Sequence, residues 1–141
     1  MFDIKSAAIV PTKFIHFRTP DTNALMYAGV KEDGTPDTDK PIGVRAYGPG
    51  SAVYRKVQGK ITTASIAAGK KGLTGESLFE NQVKLLAGTV TEFINFEYEG
   101  AGASVENTAK FYSNPALVHF KEQTEAEQQD LGGFLPTAAS A

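Results

Sequence analysis

The sequence predicts an α+β fold, with a small N-terminal antiparallel sheet or long hairpin followed by about four helices. Short segments that alternate apolar and polar residues occupy the first third of the chain, as in half-buried strands. Caps and apolar residues at helical spacing occupy the remainder, and the turn Gly48-Pro49-Gly50 separates the two parts. Strands followed by a run of helices are typical of helices that cover one face of a sheet.

Two segments of the first third are predicted strands. In residues 13–18, Ile15 and Phe17 point to one face, and residues 42–47 alternate in the same way. Residues 24–28 are a candidate for a further strand. Because two strands alone are marginally stable in water, this sheet must pack on helices.

The segments before and between these strands are predicted to be exposed. Residues 31–41 hold no apolar side chain beyond two prolines and are rich in turn formers, which predicts a surface loop. Residues 1–12 form a loose start, within which residues 7–11 are either a short strand or a lead-in to the first full strand.

A first helix is predicted from Ala52 to about Ala68. The hydroxyl of Ser51 can accept from the free backbone N–H groups of the first turn, so Ser51 is a good N-cap. Glycine and lysine residues at 69–72 are typical of a helix end. The inward stripe is predicted to be Tyr54, Val57, Ile61, Ala64 and Ala68.

The second helix is predicted to be the most hydrophobic and to lie at the centre of the core. It begins between Thr74 and Ser77 and continues to Ile94. Its apolar positions are Leu78, Val83, Leu85, Leu86, Val90, Phe93 and Ile94. Residues 95–100 are predicted to be strand-like or irregular, and residues 101–103 to form a flexible link.

Two shorter helices are predicted after this link. Ser104 begins the first, and Asn114 followed by Pro115 begins the last, which ends near Asp130. The predicted inward residues are Val105, Ala109 and Tyr112 in the first and Leu117, Phe120 and Thr124 in the second. The segment 122–129 is almost entirely polar, and the acidic residues of this helix are predicted to form a solvated face: Glu122, Glu125, Glu127 and Asp130.

Composition narrows the class of protein. The 141 residues suit one domain, so we predict a single α+β domain over residues 1–135 and a disordered tail over residues 136–141. A net charge of −2 argues against a nucleic-acid-coating protein, and the lack of cysteine excludes disulfides and thiolate metal sites.

The apolar runs are too short to span a membrane, and the N-terminus does not resemble a signal peptide. We expect a soluble intracellular protein.

No group of residues has the spacing of a catalytic, cofactor-binding or metal-binding motif. His16 and His119 have no second histidine at metal-ligand spacing. Residues 69–77 lack the residue order of a phosphate-binding loop, and the acidic residues within 32–39 lack the calcium-loop motif. We therefore expect no catalytic, cofactor or metal residue, and no enzymatic activity.

Four motifs follow one another in the last two thirds of the chain. Residues 47–55 read Tyr-Gly-Pro-Gly-Ser-Ala-Val-Tyr-Arg, and residues 95–100 read Asn-Phe-Glu-Tyr-Glu-Gly. Residues 105–112 read Val-Glu-Asn-Thr-Ala-Lys-Phe-Tyr, and Asn-Pro-Ala-Leu opens the last helix. In this order the motifs resemble the tail assembly chaperone family of long-tailed, siphovirus-type bacteriophages and prophages. The resemblance covers roughly residues 40–135, but the tryptophan that often precedes the second motif is missing.

The resemblance implies a non-enzymatic protein that binds and solubilises the tape measure protein during tail morphogenesis, in the cytoplasm of the host bacterium. It also implies that a frameshifted extension would recruit the major tail tube protein, and that the chain could form a homo-oligomer. The alternative is a structural component of the virion, either a head–tail connector or a tail terminator. We expect no nucleic-acid or membrane partner.

Such a chaperone must offer apolar side chains to a helical client, as in helix-in-groove recognition. The candidate partner-binding residues lie on the predicted helices 77–94 and 104–113 and are expected to point partly outward: Leu78, Phe79, Leu86, Phe111 and Tyr112. The competing interpretation is that these five residues belong to the core.

Overall fold

The computed structural model of the protein describes residues 1–70 and 74–135. It has an α+β fold with three strands and four α-helices, as predicted. The strands are β1 (Thr12–His16), β2 (Gly43–Tyr47) and β3 (Val90–Ile94). The helices are α1 (Ala52–Ala68), α2 (Gly75–Thr89), α3 (Val105–Ser113) and α4 (Val118–Gln129). Short 3-10 helices cover Ile4–Ala7, Pro115–Leu117 and Leu131–Phe134.

The sheet is antiparallel with the order β1-β2-β3. Thr12 pairs with Tyr47 at one end of the sheet, which we call the Tyr47 end. Gly43 pairs with His16 and with Ile94 at the other, which we call the Gly43 end. The ends of all three strands are therefore aligned at these two edges of the sheet.

One face of the sheet packs on helices α2, α3 and α4. The alternation in β1 places Ile15 in the core, and Phe17 follows it, each with 1% of its surface exposed. The β2 residues Val44 and Ala46 are fully buried beside them. Helices supply Val83, Leu86, Phe111 and Tyr112 to the same cluster. Ile15 and Phe17 share one face, as predicted, and this face is the buried one.

Helix α1 has the predicted bounds and the predicted cap. Ser51 Oγ accepts from the backbone N–H of Tyr54 at 3.0 Å, and Gly69, with a positive φ of 60°, follows the last turn. The predicted inward stripe is wrong over its second half, because Ala64 and Ala68 are exposed. Tyr54 is the one residue of α1 that is buried.

The second helix is shorter than predicted. Thr74 caps it, with Thr74 Oγ1 accepting from the backbone N–H of Ser77, and it ends at Thr89. The prediction of a helix as far as Ile94 is wrong, because Val90–Ile94 pair with β2 as strand β3. The apolar residues at 90, 93 and 94 suit both periodicities, and only the pairing with β2 selects the strand.

The predicted strand over residues 24–28 is also wrong. This segment makes isolated bridges, Arg18 to Leu25 and Tyr27 to Pro41, and no continuous ladder. It fills the space between β1 and β2 as they separate at the Gly43 end: the N–H of Met26 donates to Phe17 O, and Met26 O accepts from the N–H of Ile42. Residues 31–41 form the predicted exposed loop.

Helix α4 buries one polar face. Lys121, Thr124 and Gln128 lie on this face, with 4%, 0% and 1% of their surfaces exposed. Gln128 Nε2 donates to Tyr47 O at 2.9 Å and to Thr89 Oγ1 at 2.8 Å, and such hydrogen bonds replace water at buried groups. The predicted inward position of Thr124 is confirmed. The acidic residues of the helix are exposed as predicted, except for half-buried Glu125: Glu122, Glu127 and Asp130.

One further residue differs from the prediction. Val105 of α3, expected to face inward, is 69% exposed. Phe134 is fully buried in the 3-10 helix after α4, and its ring packs against Gly48, where a Cβ atom would overlap it. The predicted disordered tail, residues 136–141, lies outside the described residues. Within the described ranges, none of the helices combines the length and hydropathy needed to cross a membrane.

Candidate functional site

Three of the five predicted partner-binding residues are core residues. Leu86 and Tyr112 each have 1% of their surface exposed, and Phe111 has 4%. Their expected outward orientation is wrong, because α2 and α3 turn these side chains toward each other and toward the sheet. The hydroxyl of Tyr112 donates to Thr124 Oγ1 at 2.9 Å, since Thr124 in turn donates to Phe120 O. Burial raises the pKa of Tyr112 well above its usual range.

The other two predicted residues lie nearer the surface of α2. Leu78 is 51% exposed, so it is available to a partner. Phe79 is half-buried, and the ammonium of Lys121 lies 4.9 Å from its ring centroid. That ammonium also donates to Gln82 Oε1 and Glu125 Oε1. Partner contact by Leu78 and Phe79 remains a prediction.

A concave apolar surface of about 230 Å³ opens at the Gly43 end of the sheet. We call it the aromatic groove. It is lined by Phe17, Met26, Ile42, Phe96, Tyr98, Phe111, Leu117 and Phe120, with Glu97 as the one acidic residue of the lining. Phe17 follows β1, Ile42 precedes β2 and Phe96 follows β3, so the groove lies where the three strands end together.

Aromatic rings pack against one another to form the wall of the groove. The ring of Phe17 lies 4.7 Å from that of Phe120 and 5.8 Å from that of Phe96. Phe111 contacts Phe96 at 5.4 Å and the edge of Tyr98 at 5.6 Å between centroids. Such ring pairs are stabilising beyond their buried area. The rings that line the groove therefore stabilise its wall.

Asparagine side chains fix the backbone that forms one side of the groove. Asn107 Nδ2 contacts three backbone oxygens, those of Tyr98, Ala101 and Gly102, at 3.0 to 3.2 Å. Asn114 Nδ2 donates to the hydroxyl of Tyr98 at 3.2 Å. The expected flexible link at 101–103 is thus tied to α3 by a buried amide.

Further hydrogen bonds hold the opposite side. Asn95 has a positive φ of 59°, and its Nδ2 donates to Pro41 O at 2.8 Å. Gln123 of α4 accepts from the backbone N–H of Arg18 and donates to its carbonyl, both at 2.8 Å. One contact joins the end of β3 to the segment before β2, and the other joins α4 to the end of β1, so the shape of the groove depends on long-range pairing.

The surroundings of the groove are acidic. Glu97 and Glu99 are exposed beside it, and the loop 31–41, which leads into Ile42, carries four carboxylates and two lysines. A hydrogen bond from the Thr35 hydroxyl at 2.6 Å, with one from its N–H, holds the pKa of Asp33 below its usual range. These groups favour a partner with basic residues beside its apolar ones.

The histidines are far apart and have separate contacts. His16 Nε2 donates to Met26 O at 2.7 Å, and His119 packs against the ring of Phe120 at 4.1 Å. Among residues 1–70 and 74–135, no cluster of three or more His, Cys, Asp or Glu side chains could hold a metal ion. Of the segment 69–77 considered as a phosphate loop, residues 71–73 lie outside the described residues.

A second concave surface lies on α1. It measures about 640 Å³ and is wide and shallow, lined by Pro49, Arg55, Gln58, Gly59, Thr62 and Thr63. Small and polar side chains dominate it, and it has no aromatic residue. It therefore lacks the large apolar side chains that line the aromatic groove.

In comparisons with protein-family models, with curated proteins and with solved structures, the chain has no significant match. The groove is assembled from residues that sequence reasoning placed in the core or in connecting segments. Nothing local in the sequence indicates that Met26 and Ile42 meet in this groove. The Asn-Phe-Glu-Tyr-Glu-Gly motif at 95–100 is a sequence signal for part of the groove, since it contributes Phe96, Glu97 and Tyr98.

Proposed function

We propose that the protein is a non-enzymatic tail assembly chaperone that binds and solubilises a tape measure protein, and that the aromatic groove receives apolar side chains of this client. The observation that supports the proposal is that three of the four motifs contribute side chains to the same groove. The motif at 95–100 supplies Phe96 and Tyr98, the motif at 105–112 supplies Phe111, and the opening of the last helix supplies Leu117. Motifs that resemble one family thus meet in one groove.

The size of the groove favours side chains of a protein partner over a free ligand. Small-molecule sites usually measure about 300–1,000 Å³, and this groove is smaller. Burial of one Leu or Phe side chain contributes roughly 1.5–3 kcal/mol, so a client helix that inserts one or two such residues would bind reversibly. A chaperone that must later release its client requires binding of this moderate strength.

The carboxylate beside the groove favours a client with a basic residue near its inserted apolar one. Glu97 lies at the edge of an otherwise apolar lining. A lysine or arginine one helical turn from the inserted residue would reach it, and rim charges mainly set association rate and specificity. The proposal implies that the chain works in the cytoplasm of the host bacterium, before the tail tube forms.

Co-expression with the tape measure protein tests this function. The wild-type chain is expected to keep that long helical protein soluble and to elute with it. Leu117→Ser changes a half-buried groove residue and is expected to weaken capture at least tenfold, by removal of an apolar contact. Glu97→Lys is expected to slow association, most strongly at low salt.

The matched control is Ile66→Ser on α1, where the side chain is 76% exposed. It is expected to leave capture unchanged. Equal loss of capture in the α1 control and the groove variant would overturn the proposed use of the groove. A chain that ignores the tape measure protein and persists in purified virions as a stable ring would instead support the connector or terminator alternative.

A further inference from the structure

Helix α1 carries three basic residues and no acidic one. The basic residues lie in the first half of the helix, and all three are exposed: Arg55, Lys56 and Lys60. None of the ion pairs between described residues includes any of them. The first half of α1 therefore carries a local positive charge, although the net charge of the whole chain is −2.

The carboxylates beside the start of α1 are already engaged. The end of α4 and the N-terminal residues both adjoin this part of α1. Glu127 Oε2 and Asp130 Oδ2 lie 2.7 Å and 4.0 Å from the ammonium of Lys13. Asp3 Oδ1 accepts from the backbone N–H of Lys5. These groups therefore leave the cations of α1 without an acidic partner on their own chain.

The carboxylates of α2 lie beside the other half of α1. Gly88, near the end of α2, approaches Val57 in the first half of α1, so the start of α2 lies beside the second half. Glu76 and Glu80 are at this start. Glu80 lines a cleft with the second half of α1, and Lys84 lies in the same cleft. The two acidic residues of α2 are therefore offset along α1 from its cations.

The wide concave surface on α1, which we call the α1 concavity, has the side chains of a phosphate-contacting surface. Its lining of about 640 Å³ includes the guanidinium of Arg55, the amide of Gln58 and the hydroxyls of Thr62 and Thr63. The two lysines lie on the stripe of Thr63, at positions 56, 60 and 63. Basic side chains with hydroxyls and amides supply most contacts to phosphate oxygens in protein–DNA complexes.

The chemistry of the α1 concavity favours duplex DNA over other anionic partners. Its described lining residues include neither a carboxylate nor an aromatic ring. Single-stranded nucleic acid is held largely by stacking of bases on aromatic rings. Acidic proteins and anionic membranes are bound through large apolar side chains as well as charge. The backbone of a duplex is bound by charge and hydrogen bonds to phosphates, which are the interactions that this surface offers.

We propose that the first half of α1 binds the phosphate backbone of double-stranded DNA, without regard to base sequence. The three cations neutralise phosphates, and the hydroxyls and amide of the α1 concavity donate to phosphate oxygens. This proposal departs from the expectation of no nucleic-acid partner, because the net charge of the chain does not describe the charge of α1. It does not depend on the chaperone function, which uses the aromatic groove.

Fluorescence anisotropy of a labelled DNA duplex, titrated with the full chain, tests the proposal. Three neutralised phosphates predict a slope of about −2.7 for log affinity against log salt, or about a 40-fold loss of affinity between 50 and 200 mM salt. Two duplexes of unrelated sequence are expected to bind equally. No binding at about 1 mM protein in low salt, or an affinity independent of salt, would overturn the proposal.

Charge-matched variants show whether α1 is the binding surface. The first variant replaces the three cations of α1: Arg55→Gln, Lys56→Gln and Lys60→Gln. It is expected to weaken duplex binding at least about tenfold in low salt and to flatten the salt dependence. The control removes the same total charge from exposed residues of the loop 31–41 and α3: Lys31→Gln, Lys40→Gln and Lys110→Gln. It is expected to stay within about twofold of wild type, and equal losses in the two variants would overturn the proposal.

Other polyanions test the choice of duplex DNA. A single strand of the same sequence, polyglutamate and vesicles of anionic phospholipid are titrated under the same conditions. Each is expected to bind at least about threefold more weakly than the duplex. Equal or tighter binding of any of the three would overturn the assignment to duplex DNA. None of these assays contains the tape measure protein, so failure here is distinct from failure of the chaperone function.

Discussion

Helix α1 and the aromatic groove are built in opposite ways. The helix has seventeen residues, of which Tyr54 is the one that is buried, and its bounds follow from a local cap and a glycine end. The groove takes side chains from six separate parts of the chain, and its rings contact one another. Local signals suffice for a helix on the surface, whereas a binding surface requires residues far apart in sequence to meet. We therefore propose that the groove, and not α1, recognises the client.

The largest expected difference between the two regions is in core packing. Phe17→Ala removes a ring that contacts Phe96, Phe111 and Phe120, and is expected to cost about 3–5 kcal/mol in the free energy of unfolding. Val57→Ala on α1, where the side chain is half-buried, is expected to cost about 1 kcal/mol. Urea denaturation measures both. Similar losses in the free energy of unfolding for the two variants would contradict the difference in packing between the groove and α1.

Buried polar contacts give the next largest difference. Gln128→Ala leaves Tyr47 O and Thr89 Oγ1 without their donor, which is expected to cost about 1–3 kcal/mol. Gln58→Ala on the exposed surface of α1 is the matched change, expected to stay within about 0.5 kcal/mol of wild type. Thermal denaturation of the pair provides the comparison, and an unaffected Gln128→Ala protein would contradict the role of the buried amide.

A smaller effect concerns how closely α1 approaches α2. An added Cβ at Gly88 would lie 2.8 Å from both methyl carbons of Val57, so Gly88→Ala must push the helices apart. The gain in helix propensity is about 1 kcal/mol, and the overlap is expected to exceed it, for a net loss of about 1 kcal/mol. Hydrogen exchange should rise in α1 and not around the groove. The additional change Val57→Ala should reverse this rise, and a stabilised Gly88→Ala protein would disprove the close contact.

The smallest effect expected is on alkaline stability. Because burial raises the pKa of Tyr112 in the folded chain, the folded state favours the protonated phenol. The resulting stability is fully present below about pH 10, the pKa of an unfolded tyrosine, and is lost as the pH rises through the folded-state pKa. The free energy of unfolding should therefore fall more steeply above pH 10 for wild type than for Tyr112→Phe. Parallel pH profiles for the two proteins would contradict this assignment.

Several features of the fold could be predicted because they depend on neighbouring residues. Ser51 caps α1, Ser104 caps α3, and Asn114 caps the turn that opens the last helical segment. The alternation in residues 13–18 correctly places Ile15 and Phe17 on one face. Each of these signals acts within about one helical turn or one strand, so the sequence alone is enough to read it.

Other features depend on pairing that no local pattern reveals. The composition of residues 90–94 suits the end of a helix, and only their pairing with β2 shows that they form strand β3. The polar sequence around Gln128 gives no sign that this side chain is buried. Its partners, Thr89 and the carbonyl of Tyr47, come beside it only in the folded chain. The groove shows the same limit most clearly. Phe111 was a candidate, but Met26 and Ile42 become its neighbours only through the separation of β1 and β2.

Methyl NMR of the full chain, titrated with overlapping peptides of the proposed client, a tape measure protein, tests the assignment of recognition to the groove most directly. Met26, Ile42 and Leu117 report on the groove, and Val53 and Ile66 report on exposed apolar side chains of α1. We expect one or more peptides to shift the methyl signals of the three groove residues and to leave those of the two α1 residues unchanged. Shifts confined to Val53 and Ile66 would contradict this assignment.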